Sequence, residues 1–138
     1  MAVAFALPED LDYLVEKDHI GREMIGEKIG RREFILAHQD DRQVGFLRYN
    51  YFWDDVPFMN LLWVQEDLRS RGFGTQLISF WEAEMQRLGY DSVLTSTLST
   101  NERAQHLYRG LGYEDSGCLL MPGDPLEILL LKSLSVEA

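Results

Sequence analysis

The sequence contains very little cysteine, and its charged residues are mostly of one sign. A single cysteine, Cys118, occurs among 138 residues, so no internal disulfide can form, which fits the reducing cytoplasm. Cys118 lies in a segment that is predicted to be a strand, where we expect a thiol packed in the core. Lysine and arginine number 13 against 23 aspartate and glutamate residues, a formal net charge of −10. This acidity aids solubility, disfavours nucleic acid as a partner and attracts cationic partners.

Long hydrophobic runs and metal-binding clusters are also missing. Every apolar run, including the one near 126–131, is far too short to cross a bilayer, and the apolar N-terminal residues are too few for a signal peptide. We therefore expect a cytoplasmic protein with no membrane partner. The three histidines are far apart and match no ligand spacing, so no metal site is predicted.

Length and hydrophobic patterning predict a single domain over residues 1–138 with a mixed α/β fold. No repeat, low-complexity tract or linker interrupts the chain. An edge strand at 3–6 is followed by two helices, of which one begins at Pro8 and the other ends at Gly30. The patterning then predicts strands at 33–38, 43–53 and 58–65, a helix at 72–88, a strand at 91–98, a helix after Asn101, and strands at 113–121 and 126–134.

The most informative segment runs from the end of a predicted strand into the long predicted helix at 72–88. An apolar run ends at Val64, a basic turn with two glycines follows, and an amphipathic segment begins. The first amides of a helix have no internal acceptor, and the helix dipole attracts phosphate to them. Gly72 and Gly74 allow backbone to approach a ligand closely, and Arg69 and Arg71 add positive charge. We therefore predict that this turn binds the diphosphate of a cofactor.

Two well-known glycine loops do not match this turn. A P-loop requires Gly-Lys-Ser/Thr after its second glycine, but Thr75 and Gln76 follow Gly74 here. A dinucleotide fingerprint requires a third glycine where Leu77 stands. The pattern that remains is Arg-x-x-Gly-x-Gly, which begins at Arg69.

A second segment reads Asn-x-x-Ala-x-x-Leu-Tyr-x-x-x-Gly-Tyr and runs from Asn101 to Tyr113. Asn101 is a good helix N-cap, and Gly112 suits the left-handed position that ends a helix. His106 lies off the apolar face of this helix, so we expect it to be exposed. The apolar face consists of Ala104, Leu107, Tyr108 and Leu111.

These two segments, in this order and separated by one helix and one strand, resemble the signature motifs of the GNAT-type N-acetyltransferases, which use acetyl-coenzyme A (acetyl-CoA). The family motifs are Gln/Arg-x-x-Gly-x-Gly/Ala and a second one that ends in Gly-Phe, where this chain has Gly112 and Tyr113. The resemblance covers residues 33–134 well and the first thirty weakly. It implies the GNAT fold, a central, mostly antiparallel mixed sheet of six to seven strands with splayed central strands, flanked by about four helices.

The resemblance also implies which residues hold acetyl-CoA. In the family, backbone at the end of the strand before the loop contacts the pantetheine arm and the thioester, and the loop amides hold the diphosphate. Asn101 would add a polar contact to the pantetheine arm besides capping its helix. The cofactor-binding residues implied in this way are Leu62, Trp63, Val64, Arg69, Ser70, Arg71, Gly72, Phe73, Gly74, Thr75 and Asn101.

Acetyl transfer to an amine needs a proton donor for the leaving thiolate and a route for the ammonium proton. Tyr108 matches the family's tyrosine in the donor role, for which a phenol of ordinary pKa ~10 is suited because it is protonated at neutral pH; the alternative is a core aromatic. Many relatives place a glutamate four residues before the position of Val64, where this chain has Asn60, which is not a base. The base is therefore left open among acids that are more often solvated surface charges. They are Glu33, Asp54, Asp55, Glu66 and Asp67.

The acceptor is specified less well than the cofactor. Tyr49, Tyr51 and Trp53 alternate along one predicted strand and would share a face, which either lines an acceptor pocket or packs on helices. We predict an N-acetyltransferase that moves the acetyl group of acetyl-CoA to a primary amine of a small molecule or peptide, with a cationic acceptor favoured and a homodimer expected. Asn60 motivates one alternative, a catalytically silent coenzyme A-binding sensor or interaction module on the same scaffold.

Overall fold

The computed structural model describes residues 2–134, which form seven strands and four helices close to the predicted positions. The strands are β1 (Ala2–Phe5), β2 (Phe34–Gln39), β3 (Arg42–Phe52), β4 (Val56–Val64), β5 (Ser92–Leu98), β6 (Glu114–Leu119) and β7 (Glu127–Ser133). The helices are α1 (Leu11–Lys17), α2 (Arg22–Gly30), α3 (Phe73–Arg87) and α4 (Glu102–Gly110). Pro8 begins a 3₁₀ turn, Pro8–Asp10, rather than the first helix itself, and a second such turn covers Glu66–Leu68.

The strands are hydrogen-bonded in the order β1-β2-β3-β4-β5-β7-β6. The pairs β1–β2, β2–β3, β5–β7 and β6–β7 are antiparallel, whereas β4 and β5 are parallel. The parallel ladder joins Phe58 to Leu94 and Met59 to Thr95, and a ladder this short agrees with the predicted splay of the central strands. The mixed α/β fold predicted from the sequence is confirmed.

The chain is organised as two compact units. The first unit contains the residues up to Tyr49 together with Leu61–Ala83, and the second contains Asn50–Asn60 together with the residues from Glu84 onward. In the first unit, helices α1 and α2 pack against strands β2 and β3 through apolar side chains. The buried members of this core are Ala6, Leu14, Ile25, Ile29, Phe34, Leu36 and Phe46.

Two buried ion pairs stabilise the first unit. The guanidinium of Arg48 donates to Asp18 from Nε at 2.7 Å and from Nη2 at 3.3 Å. Lys28 Nζ donates to Glu33 Oε1 at 3.0 Å, and the two side chains are only 10% and 9% exposed. Burying one charge without its partner would be costly, so these pairs tie α2 and the segment before it to the sheet. The expectation that Glu33 is a solvated surface charge was wrong.

Apolar residues at helical spacing form the buried face of α3. Four of them are each at most 1% exposed. Leu88 lies beyond the last helical residue and is 54% exposed. Gly89 follows with a φ of +98°, a left-handed conformation that ends helices. The four buried residues are Leu77, Ile78, Trp81 and Met85.

The second unit places β6 at the edge of the sheet, and all 6 residues of this strand are exposed. Cys118 is therefore an exposed thiol, and the prediction of a packed core cysteine was wrong. Burial of a strand residue depends on what covers the strand, which local sequence does not specify. No helix within residues 2–134 is both long enough and apolar enough to cross a membrane.

Candidate active site

The turn between β4 and α3 lies in the first unit and has the backbone conformation that its glycines favour. Gly72 has a φ of +90°, and Ser70 two residues earlier has a φ of +65°. A Cβ atom added at Gly72 would meet no atom within 4 Å. Glycine is therefore favoured at position 72 by backbone conformation rather than by crowding, since a left-handed backbone costs other residues roughly 1–2 kcal/mol.

Three backbone amides at the start of α3 have no acceptor inside the helix. The amide of Gln76 donates to the carbonyl of Gly72 at 3.0 Å and closes the first helical turn. The amides of Phe73, Gly74 and Thr75 precede this bond, so the helix offers them no partner. The Phe73 side chain is only 3% exposed and anchors the helix entrance. Helix amides of this kind, together with the helix dipole, attract anions such as phosphate.

Two exposed arginines flank this helix entrance. Arg69 Nε donates to the backbone carbonyl of Val64 at 2.8 Å, which links the turn to the end of β4. A guanidinium has further N–H donors, so Arg69 can hold the strand end and bind an anion at the same time. Arg71 is exposed as well. The turn thus joins two cations to amides that have no acceptor inside the helix, a combination suited to a diphosphate.

The last residues of β4 lie next to this turn, and a Cβ atom added at Gly74 would lie 3.6 Å from Leu62 Cδ2. Leu62, Trp63 and Val64 are all half-buried. The Trp63 ring packs on Phe46 with ring centroids 5.9 Å apart, and Lys17 Nζ lies 5.2 Å from the Trp63 ring centre. The Trp63 side chain therefore belongs to the core of the first unit. A cofactor contact at this position would have to use its main chain, as the resemblance implies.

Tyr108 lies on α4 in the second unit and is only 7% exposed. Burial raises the pKa of Tyr108 to about 12, and a hydrogen bond with the Thr95 side chain opposes this rise in part. The Thr95 hydroxyl also donates a hydrogen bond to the carbonyl of Met59 at 3.0 Å. Tyr108 is thus protonated at neutral pH, the state that a proton donor needs. Its ring also packs on Tyr113 with centroids 5.9 Å apart, so it serves the core as well.

The N-cap predicted for α4 is confirmed. Asn101 accepts a hydrogen bond from the Ala104 amide through Oδ1 at 3.1 Å, and Gly112 has a φ of +98°. Gln105 was not singled out from the sequence, yet it is buried and its Nε2 donates to the carbonyls of Leu98 and Ser99 at 3.1 and 3.0 Å. The only signal in the sequence for this buried hydrogen-bonding role was that Gln105 is a polar residue one turn after the N-cap.

Asn60 is exposed and forms a neutral pair with a neighbour in the second unit. Its Nδ2 donates to Asn50 Oδ1 at 2.6 Å. Neither amide is a base at neutral pH, so this pair can orient a polar ligand but cannot take its proton.

The other candidate bases divide into buried and exposed groups. Glu33 is neutralised by Lys28 inside the first unit, which removes it as a free base. Asp54 and Asp55 are exposed in the turn before β4, and Glu66 and Asp67 are exposed before the arginines. Within residues 2–134 no group of three or more His, Cys, Asp or Glu side chains is placed to hold a metal ion.

The predicted aromatic face is only partly a packing surface. Tyr49 is 2% exposed and packs on Trp81, with ring centroids 5.8 Å apart. Tyr51 packs on Tyr90 at 5.5 Å. Trp53 lies one residue beyond β3, has a φ of +56° and is 79% exposed, so it does not share the strand face as predicted.

Comparison with known proteins agrees with this geometry. Residues 6–113 match the family model described as the acetyltransferase (GNAT) family. The chain belongs to this family. It is therefore an acyltransferase of GNAT fold, and the resemblance stated from its two motifs is confirmed.

Two individual relatives have informative sequence identity. The D-amino-acid N-acetyltransferase HPA3 of Saccharomyces cerevisiae is 34% identical over 76 residues, which cover 51% of this chain and 47% of the yeast protein. The match thus spans about half the length of that curated relative. A GNAT-family acetyltransferase of Bacillus cereus ATCC 10987 is 27% identical, with a TM-score of 0.78 and 96% of each chain covered.

A third protein shares the fold at lower identity. The structure of the PaiA N-acetyltransferase from Thermoplasma acidophilum in complex with coenzyme A has a TM-score of 0.78, is 16% identical, and covers 96% of this chain and 98% of its own. Identity this low supports the shared GNAT fold alone. The bound coenzyme A belongs to the archaeal protein.

Proposed function

We propose that this protein is an N-acetyltransferase that transfers the acetyl group of acetyl-CoA to a primary amine of a small molecule or peptide. The observation that carries the proposal is the entrance of α3, where the amides of Phe73, Gly74 and Thr75 precede the first helical hydrogen bond, from Gln76 to Gly72. Unsatisfied helix amides next to exposed arginines suit a diphosphate anion. We propose that all of residues 1–138 serve this one activity as a single acetyltransferase domain.

In this proposal the turn and the end of β4 divide the cofactor between them. The amides from Ser70 to Thr75 hold the diphosphate, and Arg69 and Arg71 neutralise its charge. The main chain of Leu62, Trp63 and Val64 contacts the pantetheine arm and the thioester oxygen, where negative charge develops during acyl transfer. Asn101 adds a polar contact to the pantetheine arm while its Oδ1 caps α4.

Tyr108 is the proposed proton donor to the departing thiolate. Burial keeps its phenol protonated well above neutral pH, with a pKa of about 12. Its contribution belongs to the late part of the reaction, because negative charge on the sulfur develops only as the C–S bond breaks.

The acceptor that we propose is a cationic amine. The net charge of −10 favours accumulation of cations near the surface. The similarity to a yeast D-amino-acid N-acetyltransferase makes D-amino acids the first small molecules to test. A cytoplasmic location and a homodimer complete the proposal.

The test combines cofactor binding with turnover. We expect acetyl-CoA at 100 times its dissociation constant to stabilise the wild-type protein by about 2.7 kcal/mol, which raises Tm by several degrees. Gly72→Glu adds a negative charge at the helix entrance and should abolish this shift. Gly72→Ala adds backbone strain without charge, so it separates the two effects. Gly26→Glu is the matched control, because Gly26 is exposed on α2 with no atom within 4 Å of an added Cβ.

Turnover is then measured as thiol release with D-phenylalanine, L-phenylalanine, spermidine and a tetrapeptide with a free N-terminus. Release with at least one amine, lost in Gly72→Glu and kept in Gly26→Glu, supports the proposal. An unchanged Tm across a millimolar titration of acetyl-CoA contradicts it. Binding of acetyl-CoA without thiol release in the presence of any amine would instead favour the coenzyme A-binding module. The neutral Asn50–Asn60 pair is the observation that motivates this alternative.

A further inference from the structure

A carboxylate lies between two exposed leucines at one end of the second unit's sheet. Glu127 on β7 is directly opposite Leu98 on β5 and Leu119 on β6. Residues that are directly opposite on antiparallel strands point to the same face, so the three side chains form one row. Leu98 and Leu119 are 39% and 42% exposed, and Glu127 is half-buried. The row therefore offers a ligand one negative charge within an apolar surface.

A hydrogen bond fixes one oxygen of this carboxylate. Ser96 Oγ donates to Glu127 Oε2 at 2.8 Å, and Ser96 shares the face of Leu98 because it is two residues away on β5. Within residues 2–134 the other oxygen, Oε1, has no hydrogen-bond or ion-pair partner. One oxygen is thus oriented by the protein, and the other is left to accept a hydrogen bond from a ligand.

Charged neighbours on this face are sparse. The remaining same-face residues of β5 and β7 are serines and leucines. On β6 the one titratable neighbour is Glu114, opposite Leu131, which lies about 13 Å along the strand from Glu127 at ~3.3 Å per residue. Cys118 and Lys132, opposite Ile128 and Val93, point to the other face. In these strands no cation faces the Glu127 carboxylate.

Asn60 lies on the same face of the sheet as Glu127. Met59 pairs with Thr95 in the parallel ladder. Asn60 and Ser96 are the next residues along these strands, so they lie together on the opposite face of the sheet. On this face Asn60 thus presents a neutral amide, and Glu127 on β7 supplies a negative charge.

Two consecutive residues of β5 also hold the two groups that could move protons. Thr95 contacts Tyr108 on one face, and Ser96 contacts Glu127 on the other. A proton donor for the thiolate and a proton acceptor for the amine are therefore held on opposite sides of one strand.

We infer that Glu127 binds the acceptor ammonium through Oε1 and takes the proton that the amine must lose before attack. This inference rests on the proposed acetyltransferase function. An ammonium passes one proton to the carboxylate, and the neutral nitrogen then forms a C–N bond to the acetyl carbon while the C–S bond breaks. The nitrogen releases its second proton, and the thiolate takes one from Tyr108, which regains it from solvent. An ammonium and a thioester thus give an amide, a thiol and one proton.

The test compares four variants with the amine that the wild-type protein acetylates fastest in the panel above. Glu127→Gln keeps the size of the side chain and the hydrogen bond from Ser96 but removes the base, so kcat/KM should fall about 100-fold, as for loss of a general base. Glu127→Asp keeps the charge and should recover part of the loss. Ser96→Ala frees the carboxylate and should cost a few-fold. Glu114→Gln is the matched control and should behave as wild type.

The pH profile separates a proton acceptor from a structural residue. Without a base the reaction depends on amine that is already neutral, a fraction that grows about tenfold per pH unit below the amine's ordinary pKa of ~10. The loss of kcat/KM in Glu127→Gln relative to the wild-type protein should therefore shrink by up to about tenfold per pH unit between pH 7 and 9. The Tm and the affinity for acetyl-CoA should equal those of the wild-type protein. If the wild-type protein acetylates an amine and the kcat/KM of Glu127→Gln stays within twofold of the wild-type value at every pH, the inference is overturned. The proposed function is then unaffected. Failure of the wild-type protein on all four amines contradicts the proposed function and the inference together.

Discussion

Arg69 Nε donates to the backbone carbonyl of Val64 at 2.8 Å, so one side chain joins the end of β4 to the turn that precedes α3. An arginine can do this and still present further N–H donors to an anion, whereas a lysine has a single ammonium group. This contact makes the two arginines of the turn unequal, although they appear equivalent in the sequence.

We predict that Arg69→Lys weakens coenzyme A binding about tenfold, or roughly 1.4 kcal/mol, because lysine cannot hold the strand end and the diphosphate at once. Arg71→Lys keeps its charge and should weaken binding less than about threefold. Isothermal titration with coenzyme A at 50 and 300 mM salt measures both constants. Equal losses in the two variants would show that the Val64 contact has no part in binding.

Removal of the Tyr108 hydroxyl tests its role as proton donor. We expect Tyr108→Phe to lower kcat by about 10–100-fold while the affinity for acetyl-CoA stays the same, because the hydroxyl acts after the cofactor is bound. Unfolding in urea should show a loss of about 1 kcal/mol from the missing hydrogen bond with Thr95. Tyr90→Phe is the control, because Tyr90 is another tyrosine of the second unit. An unchanged kcat would leave Tyr108 with its core role only.

Alkaline pH should destabilise the protein through two tyrosines whose burial raises their pKa. Burial raises the pKa of Tyr13 and of Tyr108 to about 12, against ~10 in an unfolded chain. Between these values the unfolded state holds fewer protons than the folded state, so stability is complete below pH 10 and falls as the pH rises towards 12. For the buried Tyr108 the loss is on the order of 2–3 kcal/mol by pH 12.

Urea unfolding at pH 9, 10, 11 and 12 measures this loss, and absorbance at 295 nm follows tyrosinate formation. Tyr108→Phe should flatten the fall between pH 10 and 12. The Tyr13 hydroxyl is buried and has no hydrogen-bond partner within residues 2–134, so Tyr13→Phe should be neutral or slightly stabilising at pH 7. A wild-type stability curve that is flat to pH 12 would contradict the raised values.

The buried pair of Asp18 and Arg48 should be far more sensitive to mutation than an exposed pair. Arg48→Met leaves the Asp18 carboxylate, whose side chain is 0% exposed, without its cation and should cost about 3–5 kcal/mol. Arg22→Met breaks the exposed pair with Asp12 and should cost less than about 1 kcal/mol. The double variant Asp18→Asn/Arg48→Met should recover part of the loss in urea unfolding. Similar losses in the two single variants would contradict the argument from burial.

Features that depend on a few consecutive residues were predictable from the sequence. The N-cap at Asn101, the left-handed Gly72 and Gly112, and the exposed His106 all appear where local rules place them. Each follows from the conformational freedom of glycine, from the side chain of an N-cap residue or from the helical period. The order of strands and helices followed because hydrophobic periodicity is also local.

Features that depend on distant pairing were not predictable. Cys118 is exposed because β6 is the edge strand, and Glu33 is buried because Lys28 lies close enough to neutralise it. Glu127 drew no attention in the sequence, since its row with Leu98 and Leu119 exists only once β5, β7 and β6 have found their register. A one-residue change in that register would turn the carboxylate to the other face.

The exposure of Cys118 has a practical consequence for work with the purified protein. Two molecules can be cross-linked through this thiol on contact with air, and the resulting covalent pair would imitate a natural dimer on a sizing column. Subunit counting therefore needs a reductant or Cys118→Ser. The same position, as the one thiol in the chain, accepts a single maleimide dye and so allows uniform labelling for fluorescence assays.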